Sequence, residues 1–154
     1  MSENRITLSI KKMSPLIGET VPVPFYATAG AAGMDLAACI EEPVTIPAKG
    51  RRKIPTGIAI ELPSPQFVGL VFPRSGISTK HGINLANSVG VIDSDYRGEI
   101  QCVLVNQEDT DYTIQPGERI AQLVLMPVVQ ADVQIVEELN PTDRGSSGFG
   151  STGS

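Results

Sequence analysis

The chain has 154 residues, a formal net charge of −5, one histidine and two cysteines. That is about one domain, long enough to bury most of its unfolded surface without a disulfide scaffold. The acidic balance argues against nucleic acid and anionic membranes as partners, so an anionic substrate would need local cations or a metal. One histidine and two well-separated cysteines exclude the usual structural zinc site.

The N-terminus, MSENRITLSIKK, lacks the apolar stretch of a secretory signal, and no apolar run reaches the length of a membrane span. A cytoplasmic protein is expected. Ile6, Leu8 and Ile10 alternate through Arg5 to Lys11, which reads as a strand. Met13 to Phe25 carries Pro15, Pro22 and Pro24 and is extended or looped. A small-residue stretch, Ala27 to Gly33, leads into an apolar strand over Met34 to Ile40. Val44 to Ile46 is a short strand ahead of a Pro47–Gly50 turn. Lys53 to Leu62 alternates but is interrupted at Gly57, and Gln66 to Phe72 is a buried run ended by Pro73. Gly76 to Lys80 is the one plausible helical turn, with Ser75 as its cap and His81 as a structural residue beside it.

Ile83 to Leu85 is a further strand. Val89 to Ile100, VGVIDSDYRGEI, has the pattern of a β-hairpin whose loop holds Asp93, Ser94 and Asp95. Asp and Ser in a turn commonly bond their own backbone. This tip is unusual in also carrying Tyr96 and Arg97. Strands follow at Glu99 to Asn106, Tyr112 to Ile114, Arg119 to Met126 and Val133 to Val136. Short strands spaced by Gly, Pro and Asp, with no long helical face, predict an antiparallel all-β sandwich or barrel. Cys39 and Cys102 fall inside strand-like runs; buried free thiols are expected, with a single disulfide as the alternative. Residues 1–141 then form the β domain, and 142–154 a flexible Gly/Ser-rich segment. A linker or an expression scar would have that composition too, but neither needs Arg144 and Phe149.

Four stretches besides the hairpin set polar groups among small residues. Asp35 sits on an apolar strand, either as a satisfied structural carboxylate or near a metal. Arg74, Ser75 and Gly76 follow a buried strand and offer a guanidinium, a hydroxyl and open backbone to an anion. Gln122 lies between apolar neighbours in PGERIAQ, so its amide needs a partner if buried. The tail RGSSGFGSTG is similar to a phosphate-cradling glycine loop, but no Lys follows the glycines, so it is not a Walker loop.

The order and spacing of AGMDLAA, PRSG, NSVGVIDSDYRGEI, PGERIAQ and RGSSGFGSTG resemble the five motifs of the trimeric dUTPase family over residues 32 to 153. The resemblance implies a jelly-roll subunit in a homotrimer with three shared sites. It also implies Mg²⁺-dependent cleavage of dUTP to dUMP and pyrophosphate, which keeps uracil out of DNA and supplies dUMP for dTMP synthesis. On that basis the backbone of Gly90, Val91, Ile92 and the facing strand near Gln101 reads uracil, assisted by Asn87. Tyr96 packs against the sugar and leaves no room for a 2′-hydroxyl. Asp93 is the general base that activates water for attack on the α-phosphorus. Arg74, Ser75, Gly76 and Gln122 hold the phosphates, and Asp35 is an outer-shell partner of Mg²⁺ through water. Phe149 and Gly150 belong to a C-terminal lid in which Phe149 stacks on uracil, while Arg144, Ser151 and Thr152 grip the γ-phosphate.

Two positions depart from the family pattern: Ala86 stands where a glycine is expected before Asn87, and Met34 sits inside the first motif. The nearest rival is a dCTP deaminase of the same fold, whose acid–base would be a Glu on the return strand, here in reach of Glu99. Another is a non-catalytic dUTP-binding regulatory module. The Asp-Ser-Asp-Tyr tip and the Phe-bearing tail favour the hydrolase.

Overall fold

The computed structural model describes residues 5–148. Strands recur where alternation and turn residues place them: β1 (Ser9–Lys12), β2 (Met34–Ala37), β3 (Val44–Ile46), β4 (Arg51–Pro55), β5 (Ile58–Glu61) and β6 (Phe67–Pro73). The one helix among the described residues, α1 (Ser75–His81), follows. Then come β7 (Ile83–Leu85), β8 (Gly90–Ile92), β9 (Gln101–Asn106), β10 (Tyr112–Ile114) and β11 (Arg119–Pro127). Every pairing between these strands is antiparallel. The expected all-β architecture is the observed one. No helix among the described residues is long and apolar enough to cross a membrane.

Two sheets position the site. One has the order β2-β11-β6-β8, the other β4-β9-β7, and the pairs β1-β5 and β10-β3 complete the layers. Their inward residues form one aliphatic core, with Leu36, Ile46, Ile54, Ile58, Ile83, Leu104, Ile114, Ile120 and Leu123 all buried. Branched aliphatics suit this role because their stiff side chains pack well on a pleated surface. Cys39 and Cys102 are buried and free, so the disulfide alternative falls.

Three local expectations are corrected. Ser75 is the first residue of α1 rather than its cap; Arg74 is the N-cap, in extended backbone and without a side-chain capping bond. The helix ends on Gly82 in the left-handed region at φ 60°, which an L side chain would resist. Residues 133–136 form no strand: none of the described residues pairs with them, and Val133 and Ile135 stand in the open. The largest correction concerns the hairpin. β8 pairs with β6, while β9 pairs with β4 and β7. The two strands expected to pair with each other belong to different sheets.

Candidate active site

The divergence of β8 and β9 makes a cavity of about 440 Å³, lined by Lys53, Val91, Ile92, Asp93, Tyr96, Glu99, Ile100 and Gln101. β8 is the edge strand of its sheet, and β9 runs past the end of β7 by Gln101 and Cys102. Val91, Ile92 and Gln101 thus line the cavity from strands with one edge unpaired. Unpaired backbone donors and acceptors at an open cavity need a partner from outside the sheets.

The connection that carries Asp93 and Tyr96 is tied down at both ends. The Tyr96 N–H donates to the Asp93 carbonyl at 3.2 Å, closing a turn. Arg97 donates to the Ser94 carbonyl at 2.8 Å and pairs with Glu61 of β5 at 3.5 Å. Ile100 is buried, donates to the Ile58 carbonyl at 2.9 Å and accepts from the Thr56 N–H at 3.1 Å. The Tyr96 hydroxyl donates to the Glu99 carbonyl at 3.1 Å. Both Glu99 carboxylate oxygens are engaged as well, one by the Gly57 N–H at 2.9 Å and one by the Gln101 amide at 3.3 Å. The Asp93 carboxylate is exposed and joins no hydrogen bond or ion pair among the described residues, so it is free to orient a water. Asn87 lies beside the entry to β8, where a Cβ on Gly90 would sit 3.6 Å from its amide nitrogen.

A second cluster gathers the first three of the four polar stretches, those of Asp35, Arg74 and Gln122. Asp35 Oδ1 accepts from Arg74 Nε at 2.7 Å, and its Oδ2 accepts from Arg119 Nη1 at 3.2 Å. Asp35 faces Gln122 across the β2–β11 pairing, and the Gln122 amide donates to the Pro73 carbonyl at 2.9 Å. The half-buried amide has thus found the partner it needed. Strict alternation would put Arg119 and Gln122 on opposite faces of β11. A register shift between Arg119 and Ala121, a β-bulge, turns Arg119 back toward Asp35. Ser75 and Gly76 are exposed beside this cluster, with open space over Gly76. One carboxylate between two guanidiniums leaves a local excess of positive charge, which suits an anion.

The structure therefore assembles the expected residues into two groups, and none of Arg74, Ser75, Gly76 or Gln122 lines the β8–β9 cavity. Arg144 joins neither: its Nε donates to the Ser147 carbonyl at 2.8 Å, within the tail. Phe149, Gly150, Ser151 and Thr152 lie outside the described residues. Among the described residues no three His, Cys, Asp or Glu side chains could jointly hold a metal. Sequence reading missed Lys53, whose β4 position opposite Val103 brings it to the cavity, and Arg119, which only the bulge reveals. Neither left a signal in the sequence, because both placements depend on strand pairing.

A family model described as dUTPase matches residues 19–153. A deoxyuridine 5′-triphosphate nucleotidohydrolase of Idiomarina loihiensis is 49% identical over 146 residues, covering 95% of this chain and 97% of that protein. One from Escherichia coli O45:K1 is 45% identical, at 95% and 97% coverage. Among solved structures, the dUTPase of Staphylococcus bacteriophage 80alpha with dUpNHpp superposes with a TM-score of 0.83 at 28% identity, covering 96% of this chain and 99% of that one.

Proposed function

The chain belongs to the dUTPase family, and we infer that it hydrolyses dUTP to dUMP and pyrophosphate, with the β8–β9 cavity taking the nucleoside and the Arg74 cluster the phosphates. The observation that carries this reading is the cavity itself: unpaired strand edges flank an unengaged carboxylate and a phenol. Uracil presents two carbonyl acceptors around one N–H donor, a pattern that fixed backbone groups can match. Cytosine inverts one edge and would leave buried groups unpaired, a difference that can discriminate by ~10⁴-fold or more.

In this reading Asp93 accepts a proton from the water that attacks the α-phosphorus, and pyrophosphate leaves. Tyr96 packs against the deoxyribose. Arg74, with Ser75, Gly76 and Gln122, grips the phosphate chain, and Asp35 holds the Arg74 guanidinium in place. Mg²⁺ would be held chiefly by the triphosphate and water, with Asp35, each of whose oxygens already accepts from an arginine, as its outer-shell partner through water. Bound there, the ion would neutralise charge on the phosphoryl oxygens. Glu99 is committed to Gly57 and Gln101, which weighs against the deaminase assignment.

The homotrimer belongs to this proposal. Past β11 the chain exposes Val129, Val133, Ile135 and Leu139 at 87–95% of their surface, an apolar set that needs a covering surface. A second copy of the chain would provide one and would bring a tail to a neighbouring cavity. Sedimentation at the mass of a single chain would overturn it.

The decisive experiment offers dUTP, dTTP, dCTP and UTP and measures pyrophosphate and ammonia. Pyrophosphate from dUTP, with the others slower by orders of magnitude, is expected. Ammonia from dCTP would replace the assignment with a deaminase. Tight dUTP binding without turnover would leave a binding module.

A further inference from the structure

We propose that Gly98 is a specificity-determining position: by having no side chain it gives Tyr96 its seat, and through Tyr96 it sets the preference for deoxyribose over ribose. The inference rests on Tyr96 lying against the sugar.

Glycine is not required at 98 for the backbone. The described glycines with left-handed φ are Gly18, Gly57, Gly82, Gly117 and Gly145, and Gly98 is not among them. Its reason is steric. A Cβ built on Gly98 would fall on the Tyr96 hydroxyl, 2.6 Å from Cζ and 3.0 Å from Cε2. Carbon atoms in contact sit at about 3.5–4.0 Å, so ring and Cβ cannot coexist as placed. The backbone around them is held. The Asp93–Tyr96 turn, the Arg97 bonds to Ser94 and Glu61, and the buried Ile100 leave it little freedom to back away. The Tyr96 ring is the movable party, since it is 45% exposed and its hydroxyl is fixed only by the Glu99 carbonyl. A methyl group at 98 would swing the ring out and break that bond. The wall of the cavity beside the sugar would open while the fold stayed intact.

The test is a double-mutant cycle of Gly98→Ala and Tyr96→Ala, with kcat/KM for dUTP and UTP and the melting temperature of each protein. Gly98→Ala should lower the dUTP-to-UTP selectivity by about tenfold or more, as expected for losing one sterically enforced discrimination. In the Tyr96→Ala background it should change selectivity by less than about twofold, because its route of action is gone. The melting temperature of Gly98→Ala should stay within about 4 °C of the parent. Unchanged selectivity in Gly98→Ala, or an equal loss in both backgrounds, would overturn the proposal. So would a melting temperature lower by about 10 °C or more, which would make the glycine a folding requirement. If Tyr96→Ala alone leaves selectivity intact, the sugar-contact reading fails first, and the seat at Gly98 with it.

Discussion

The β8–β9 cavity and the segment after β11 are opposites in construction. Lys53, Ile92 and Ile100 reach the cavity from three separately paired or anchored stretches, and hydrogen bonds tie the connecting loop at several points. Residues 128–147 are exposed throughout, and the tail's bonds are short-range, as between Arg144 and Ser147. The first region is fixed by folding before anything binds, which the proposed recognition of a base and a sugar requires. Past the bond from the Val128 N–H to the Gln66 carbonyl, the second is tied to no other part of the described chain. Ordering about ten residues costs on the order of 10 kcal/mol, while one charge-assisted hydrogen bond returns ~1.5–3 kcal/mol. A lid built from such a segment closes only when several contacts form at once, which a complete triphosphate offers and a shorter phosphate chain does not.

The largest effect is expected at the fixed region. Asp93→Asn keeps the shape of the cavity and removes the proton acceptor, so turnover should fall by about 10²–10⁴-fold. Affinity for dUTP should stay within about tenfold, because the base and sugar contacts do not pass through that carboxylate. Near-normal turnover would remove Asp93 from the chemistry. Next is deletion of residues 142–154, which should lower kcat by about 10²-fold by leaving the reaction open to solvent. Its melting temperature should match the parent, since the described part of that segment buries almost nothing. A surviving rate would make the tail a linker. The third effect falls between the regions. Asp35→Asn retains a neutral partner for Arg74 but loses the charge between two guanidiniums, so KM for dUTP should rise by about tenfold. A change confined to Mg²⁺ dependence would instead support a role for Asp35 mainly toward the ion.

The same contrast explains what could be read in the sequence. Alternation located most strands to within a few residues, because each buries one face in a common core. The motifs named most polar residues of both clusters, Lys53 and Arg119 excepted. Strand partners were not legible. Val89 to Ile100 has the local pattern of a hairpin, yet β8 goes to β6 and β9 to β4, since pairing depends on distant strands that local alternation does not specify. Val133 to Val136 reads as a strand on the same local ground; with no partner among the described residues, its apolar residues remain exposed. Arg119 was missed because a bulge changes the face a residue occupies without leaving a mark in the sequence.

Alkaline pH should separate the two regions by a smaller but cleaner effect. Cys102 on β9 lies within the core, and burial raises its pKa from 9.0 to about 12. In the unfolded chain the thiol ionises near pH 9, while the folded chain keeps the proton. The folded state then binds more protons, and stability falls as pH rises. The contribution is complete below pH 9 and is lost progressively toward pH 12. Tyr112 behaves alike through burial and its bond to Glu118, but from 10.0 upward, so the interval from 9 to 10 belongs mainly to the thiol. There the slope approaches about 1 kcal/mol per pH unit, or about 2–4 °C in melting temperature for a domain of this size. Cys102→Ala should flatten that slope whatever its cost at neutral pH, and deletion of 142–154 should leave it unchanged. Parallel slopes for Cys102→Ala and the parent would show that ionised Cys102 is tolerated in the folded core, and that the β9 wall is less closed to water than its packing implies.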